Sequence, residues 1–327
     1  MIRFILRRVL GMIPTLLVIS VITFALIQLP PGDFLTSQLE QLQQQGEQIS
    51  EERIAALRAR YGLNQPVTVQ YFKWITRFVQ GDMGYSFEWN RPVNELIWDR
   101  LGYTVVIALG SLIFTWIVAF PIGIYSALRQ YSLADYTFTT IGFLGLSTPS
   151  FLLAMVLMYL GYEWFGVSVG GLFSPELVAE PWSWAKFVDL LRHIWIPMVV
   201  VGMAGTAGLI RVMRANLLDE LQKPYVITAR AKGVGPVKLV LKYPVRIALN
   251  PFISTVGWML PMLFSGSTIA AVVLSLPTTG PLLLRALMSQ DMYLAGSFIM
   301  ILSTLTVIGT LISDILLAWI DPRIRYE

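Results

Sequence analysis

The chain is poor in residues that do covalent chemistry. Its 327 residues include no cysteine and one histidine, His193. Disulfides and thiolate metal sites are therefore excluded, and a single imidazole cannot form a histidine metal cluster. No G-x-x-x-x-G-K-[ST] loop is present to cradle nucleotide phosphates, and no H-E-x-x-H helix to hold zinc. A serine nucleophile would have only His193 as a histidine base. That residue stands in "LLRHIWIP" at a predicted helix entrance, where a lone histidine is expected to be structural. The densest polar chemistry is instead "KPYVITARAKGVGPVKLVLKYP", residues 223–244, which holds five basic residues.

That passage is punctuated as well as charged. Pro224 at N1 and Gly233 at C′ bracket a predicted helix of about two turns, and Pro236 and Pro244 bracket a second. Tyr225, Thr228 and Ala229 are expected on one face of the first helix, with Arg230 and Lys232 leaning away. In the second, Val237, Val240 and Leu241 are expected to form one stripe and Lys238 and Lys242 the other. A basic segment adhering to anionic lipid accounts for the charge. The paired caps point further, to a defined shape offered to a partner.

The elements that must carry this loop are built for hydrocarbon. The chain is 55% hydrophobic and 13% charged, with a mean hydropathy of +0.65; soluble domains carry about 25% charged residues. Its apolar residues come in long blocks at 9–29, 101–128, 136–162, 194–210, 247–284 and 292–313, the last continuing past Asp314 to 320. A spanning helix needs roughly 20 such residues. Block 194–210 reaches 213 if Arg211 snorkels to the interface. Block 247–284 is too long for one helix, and its tail "SLPTTGPLL" is turn chemistry. One helix to about Leu274 and a non-helical return are therefore expected. The first block exceeds a signal peptide's apolar stretch of roughly 7–15 residues and is read as a retained helix. Pro14, Pro121, Pro149, Pro197 and Pro261 fall inside these blocks, with Gly202, Gly205 and Gly208, as kinking and close packing require. The fold class expected is an all-α polytopic membrane protein with six transmembrane helices.

Six helices put both termini on one side, and the basic residues choose the cytoplasmic one. Arg3, Arg7, Arg8, Arg129, the eight bases from Arg211 to Arg246, Arg323 and Arg325 then face only six acids inside, while acids outnumber bases outside. The net charge of +4 thus reads as topology, with no nucleic-acid partner. The expected domains are a first segment and helix (1–29), an external loop subdomain (30–100), a five-helix core (101–320) with a cytoplasmic loop at 214–246, and a cytoplasmic tail (321–327). In the external loop, Tyr71, Trp74, Ile75 and Phe78 predict an amphipathic helix. It either lies on the membrane surface or caps the pore, or packs within a solvated external subdomain. Helix interiors nearly bare of charge count against an ion-coupled carrier. Asp314 is expected to be an interfacial acid with a basic neighbour.

"YVITARAKGVGPVKLVLKYPVRIALNP" resembles the cytoplasmic EAA loop of permease subunits of binding-protein-dependent ABC importers, in the form found in the dipeptide, oligopeptide and nickel group. "RFILRRVLGMIPTLLVISVITFALIQLPPGD", "YGLNQPVTVQYFKWITRFVQGDMGYSF", "RPVNELIWDRL", "GLSTPSFLLAMVL" and "AWIDPRIRY" are similar to that group in the same order, over nearly the whole chain. The resemblance implies a type I ABC importer permease fold in a bacterial or archaeal cytoplasmic membrane. It implies that the loop docks on an ATPase through Tyr225, Thr228, Ala229, Ala231 and Gly233, with Arg230 and Lys232 at variable positions. Thr228 stands where the motif's glutamate would be, so a glutamate-mediated contact is not implied. The implied partners are a second homologous permease, two cytoplasmic ATPase subunits that bind the ATP and magnesium, and an external solute-binding protein. No cofactor is expected in this chain and no catalytic site. Di- or oligopeptide is the expected solute, with oligosaccharides, opines or nickel chelates as alternatives and an ion-coupled secondary carrier as the remoter reading. The Gln-rich insertion at 38–48 is longer than in the shortest relatives and has no assigned role.

Overall fold

The computed structural model describes residues 2–28, 65–166, 170–250, 252 and 268–320. The 38–48 insertion and the 321–327 tail lie outside the described residues. Among these residues all regular structure is helical apart from one isolated bridge between Tyr85 and Pro92. The helices are α1 (Ile2–Gln28), α2 (Val67–Val79), α3 (Val93–Leu128), α4 (Leu133–Ser147), α5 (Ser150–Phe165) and α6 (Trp184–Leu221). They continue as α7 (Pro224–Ala231), α8 (Pro236–Lys242), α9 (Pro244–Ala248), α10 (Thr268–Val273), α11 (Thr279–Met288) and α12 (Met292–Ile320).

Three helices are long and apolar enough to cross a bilayer singly: Ile5–Leu26, Val93–Leu128 and Met292–Ile315. Two bent pairs raise the number to five if each pair is one span. The expected continuous span at 136–162 is not straight. α4 and α5 meet at 108° across Thr148 and Pro149. Pro149 donates no backbone hydrogen bond and pushes Thr148 out of the helical region, to φ −81° and ψ 123°. Each arm is about 22–24 Å long, too short to cross the roughly 30 Å core alone. Pro121 and Pro197 do sit within helices. α6 starts ten residues before the expected block and bends by 53° between Met203 and Gly205. The fifth expected span, the helix from 247 to about Leu274, falls mostly on residues outside those described. Its tail departs from expectation: only residues 274–278 are non-helical, and Thr279 opens α11. Pro281 sits in that helix's first turn, where a missing N–H costs nothing.

The chain divides into two compact units. One comprises the described residues of Met1–Gly102 and Thr278–Val307. In it the stripe of α2 packs on α1. The Phe24 ring lies 5.4 Å from Tyr71 and 5.8 Å from Trp74, and the Ser20 hydroxyl pairs with the Tyr71 hydroxyl at 2.8 Å. Among the described residues the stripe's partner is thus α1, a long apolar helix, and not another part of 30–100, a contact that none of the open readings named. Val93, Leu96, Ile97, Leu282, Leu294 and Phe298 form the apolar core of this unit. Beside it the buried Asp291 caps α12, accepting from the Leu294 N–H at 3.2 Å and the Glu88 N–H at 3.3 Å, and also from the Ser86 hydroxyl. Burial pushes its carboxyl above the usual range, against the pull of those donors.

The other unit comprises the described residues of Tyr103–Pro277 and Ile308–Glu327. One apolar core joins Ile107, Ala154, Leu172, Phe173, Ile194, Ile196 and Leu274. A second joins Ala119, Leu209, Ile210, Met213, Leu217, Val245, Ala248 and Phe252. Between them α3 and α6 approach closely at Gly202. A Cβ there would stand 2.7 Å from the Phe114 ring, 2.9 Å from Thr115 Oγ1 and 3.1 Å from the Ser111 carbonyl. The Thr115 hydroxyl donates to the Gly202 carbonyl at 3.0 Å, closing the contact. Gly202→Ala is expected to cost about 1–3 kcal/mol by overpacking. A thermal unfolding midpoint in detergent equal to that of the natural chain would contradict this packing.

Candidate coupling loop

The 223–244 passage folds as its punctuation predicts. Lys223 is the N-cap of α7 with Pro224 at N1, and α7 ends at Ala231 with Lys232 as C-cap. Gly233 follows at φ +78°, a left-handed conformation that costs a side-chain-bearing residue about 1–2 kcal/mol. Its N–H donates to the Arg230 carbonyl at 3.0 Å, and the Val234 N–H donates to the Ala229 carbonyl at 3.3 Å. These two bonds are a Schellman motif, and Val234 packs with Ala229 as that motif favours. Gly235 then caps α8 with Pro236 at N1. Pro244 ends α8 as expected, and it also opens the short α9.

The faces differ from expectation. Val226 and Ala229 are the buried residues of α7, meeting Leu239 of α8 with Tyr225, Val234 and Tyr243 at the edge. Thr228 points away, exposed, its hydroxyl donating to the Pro224 carbonyl at 2.8 Å. Ala229 therefore belongs to the inside of the loop and Thr228 to its outside. In α8 the buried residue is Leu239, which was not anticipated, while Val237 is 71% exposed and Leu241 is exposed too. The physical reason is that a seven-residue helix holds its place by whichever residue meets the neighbouring helix. Arg230, Ala231, Lys232 and Gly233 are exposed, as is Ile227 at 56%. The loop thus offers Ile227, Val237 and Leu241 outward among Arg230, Lys232, Lys238 and Lys242.

Its roots are firm. The Tyr225 hydroxyl donates to Glu220 in the last turn of α6, and burial, reinforced by that carboxylate, raises the phenol's pKa. Val240 packs on the core that holds Met213, Leu217, Val245 and Ala248. Consecutive residues of α8 therefore serve two attachments, Leu239 to α7 and Val240 to the bundle. Upstream, Arg214 Nη2 meets Asp135 Oδ2 at 2.9 Å, with Asp135 buried. Asp135 also accepts from the Tyr131 N–H, and its own N–H donates to the Ser132 hydroxyl that caps α4. This ion pair ties the start of α4 to the half of α6 that leads into the loop. The S-x-x-D pattern at 132–135 signals the cap in sequence; nothing in the sequence pairs it with Arg214.

Two further polar residues lie within the long helices. His193 is buried, its Nδ1 2.8 Å from the Asp189 carbonyl oxygen and 3.5 Å from the Asp189 carboxylate. Asp314 is half-buried within α12. Among the described residues no group of three or more histidine or acidic side chains is placed to hold a metal.

Residues 119–326 match the family described as "binding-protein-dependent transport system inner membrane component", and residues 1–108 match its N-terminal companion. The chain is 35% identical over 327 residues to the oligopeptide transport system permease protein of Bacillus subtilis, covering 99% of both chains. It is 30% identical over 340 residues to the dipeptide transport system permease protein of Alkalihalophilus pseudofirmus, and 32% identical over 327 residues to the glutathione transport system permease protein of Salmonella typhimurium. Both alignments cover the whole of both chains.

Two measurements check the loop. Leu239→Ala is expected to loosen α7 by about 2 kcal/mol, or roughly thirty-fold faster amide exchange over 226–234. Leu241→Ala, on the outside, should leave that exchange unchanged. Asp135→Ala and Arg214→Ala, made singly and together, are expected to show a coupling of about 0.5–3 kcal/mol in thermal unfolding; strictly additive losses would mean the ion pair ties nothing. With its two matched segments and its full-length relatives, the chain belongs to the binding-protein-dependent transport system inner membrane components, as a permease subunit of the peptide-type ABC importers.

Proposed function

We propose that this permease, together with a second homologous permease, lines the uptake pathway for di- or oligopeptides in the cytoplasmic membrane of a bacterium or archaeon. An external binding protein delivers the solute, and two cytoplasmic ATPase subunits bind ATP and magnesium and drive transport. In this reading the chain crosses the membrane six times, both termini are cytoplasmic, and residues 223–244 dock on an ATPase. The observation that carries it is the pair of short capped helices that hide Val226, Ala229 and Leu239 yet leave Ile227, Val237 and Leu241 exposed. A segment folded against itself and still apolar outside is suited to enter a partner's groove. The names of the relatives, oligopeptide, dipeptide and glutathione permeases, support the solute class.

The assignment also sorts the seven loop residues by task. Thr228, Arg230, Ala231 and Lys232 stand on the outside, where a partner can touch them. Ala229 and Tyr225 hold the loop's shape, and Gly233 supplies the turn that only glycine takes without strain. Thr228 has its hydroxyl proton already donated within its own helix, so its contact with an ATPase would come from its methyl group and the oxygen's two lone pairs.

The test is ATP hydrolysis by the reconstituted complex with and without peptide-loaded binding protein. Ile227→Asp and Val237→Asp, which place a charge on the exposed face, are expected to abolish the stimulation at least ten-fold while membrane insertion stays intact. Gly233→Asp should do the same by straining the φ +78° turn. Unchanged stimulation in all three would remove the loop from coupling. Peptide uptake by the purified chain alone, driven by an ion gradient, would overturn the importer reading altogether.

A further inference from the structure

In the first three turns of α6 the buried face mixes polar and apolar residues, Lys186, Asp189 and His193 beside Leu190 and Ile194, while the outer face is largely apolar. Lys186, Asp189 and His193 recur at helical spacing and are buried, at 4%, 7% and 2% exposure. Trp184, Phe187, Leu191 and Trp195 recur two residues out of step with them, on the opposite face, and are exposed; Trp184 reaches 77% and Leu191 54%. A helix rimming a water-soluble domain would turn polar residues outward.

The inner face has work to do. Lys186 Nζ donates to the Val178 carbonyl at 3.0 Å and to the Glu180 carbonyl at 2.5 Å, and lies 4.9 Å from the Phe173 ring centroid and 5.9 Å from that of Trp182. Asp189 accepts from the Ser174 N–H at 2.7 Å and from its hydroxyl at 2.8 Å. The two charges clamp the 174–180 loop onto the helix, with Leu172 and Phe173 sunk in the core beneath. None of this explains why the outer face carries two tryptophans, a phenylalanine and a leucine.

The geometry points to lipid. Residues 184–195 form a collar set in the outer leaflet of the bilayer, with Trp184, Phe187, Leu191 and Trp195 against acyl chains and the headgroup boundary. The exposed Arg192 guanidinium meets lipid phosphate there. The leaflet assignment rests on the orientation adopted under the proposed function. Three observations favour lipid over a protein partner. The stripe lies within Trp184–Met203, a 20-residue stretch about 30 Å long that passes, together with Gly205–Leu221 beyond a 53° bend, as apolar enough to span the bilayer. Every member of the stripe is large, whereas helices that pack together in a membrane meet through small residues, as α6 does at Gly202. Tryptophan and arginine side by side suit the interface, where an amphipathic ring and a phosphate-seeking cation both find partners. In this arrangement the Lys186 and Asp189 clamp is shielded from water on its outer side.

The natural chain has no cysteine, so a single introduced thiol takes a nitroxide label at one place only. Trp184→Cys, Phe187→Cys, Leu191→Cys and Trp195→Cys would be labelled in the transporter complex, in nanodiscs of phosphatidylethanolamine and phosphatidylglycerol. Glu180→Cys serves as the aqueous reference. The expected result is that oxygen relaxes the four labels far more than a water-soluble nickel chelate does, with depth increasing from 184 to 195, and the reverse at 180. Nickel-dominated relaxation at 187 and 191 would place the stripe in water. Weak relaxation by both agents would place it under protein. Depth that does not grow along the series would mean the collar is not upright; each of these three results overturns the proposal. Arg192→Glu should move the label at 191 towards the aqueous side, and no movement would remove the phosphate contact. Peptide-stimulated ATP hydrolysis by the same labelled complexes reports separately on the importer reading, so the two can fail independently.

Discussion

A peptide bond in hydrocarbon has no water to fall back on, and every break in a helix must satisfy its own backbone. That constraint governs where this chain turns. At the Pro149 corner the Thr148 N–H still donates to the Leu144 carbonyl, and the Leu152 and Leu153 N–H groups donate to Pro149. After α5, Gly166 takes a left-handed conformation and donates to Tyr162. At α10 the Ser275 and Leu276 N–H groups find Val272 and Ala271. The same solution recurs in the loop, where Gly233 and Val234 close α7. Corners and helix ends alike keep their backbone groups paired.

The loop adds a second requirement. Helices of eight and seven residues are marginal by themselves in water, because nucleation costs more than so few hydrogen bonds return. α7 and α8 persist because each lends the other an apolar side, Val226 and Ala229 against Leu239. What remains exposed is apolar too, which is why the loop reads as a piece of an interface. Its connections to α6 through Glu220 and to the bundle through Val240 fasten the loop to long helices.

Much of this was legible in the sequence for identifiable reasons. Proline and glycine act locally, so Pro224, Gly233 and Pro236 marked the loop's helix ends correctly, and unbroken apolar runs marked the long helices. What depends on tertiary neighbours was not legible. Tyr225, Thr228 and Ala229 were placed on one face by spacing, but the position of Leu239 decides that Ala229 goes in and Thr228 goes out. Pro149 was counted as a kink within a span, yet it makes a 108° corner, because a run of apolar residues does not reveal whether its two halves are collinear. Asp135 and Arg214 are 79 residues apart, and no local pattern joins them.

The adjacency of Leu239 and Val240 also bears on how this loop can vary in length. Successive residues of a helix are rotated by about 100°, so one residue inserted or deleted ahead of them in α8 would turn both side chains off their targets at once. Substitutions on the outside of the loop change only what it touches, whereas a change of length disconnects the loop from the bundle. Divergence in such a segment should therefore proceed by exchange of exposed side chains at fixed length.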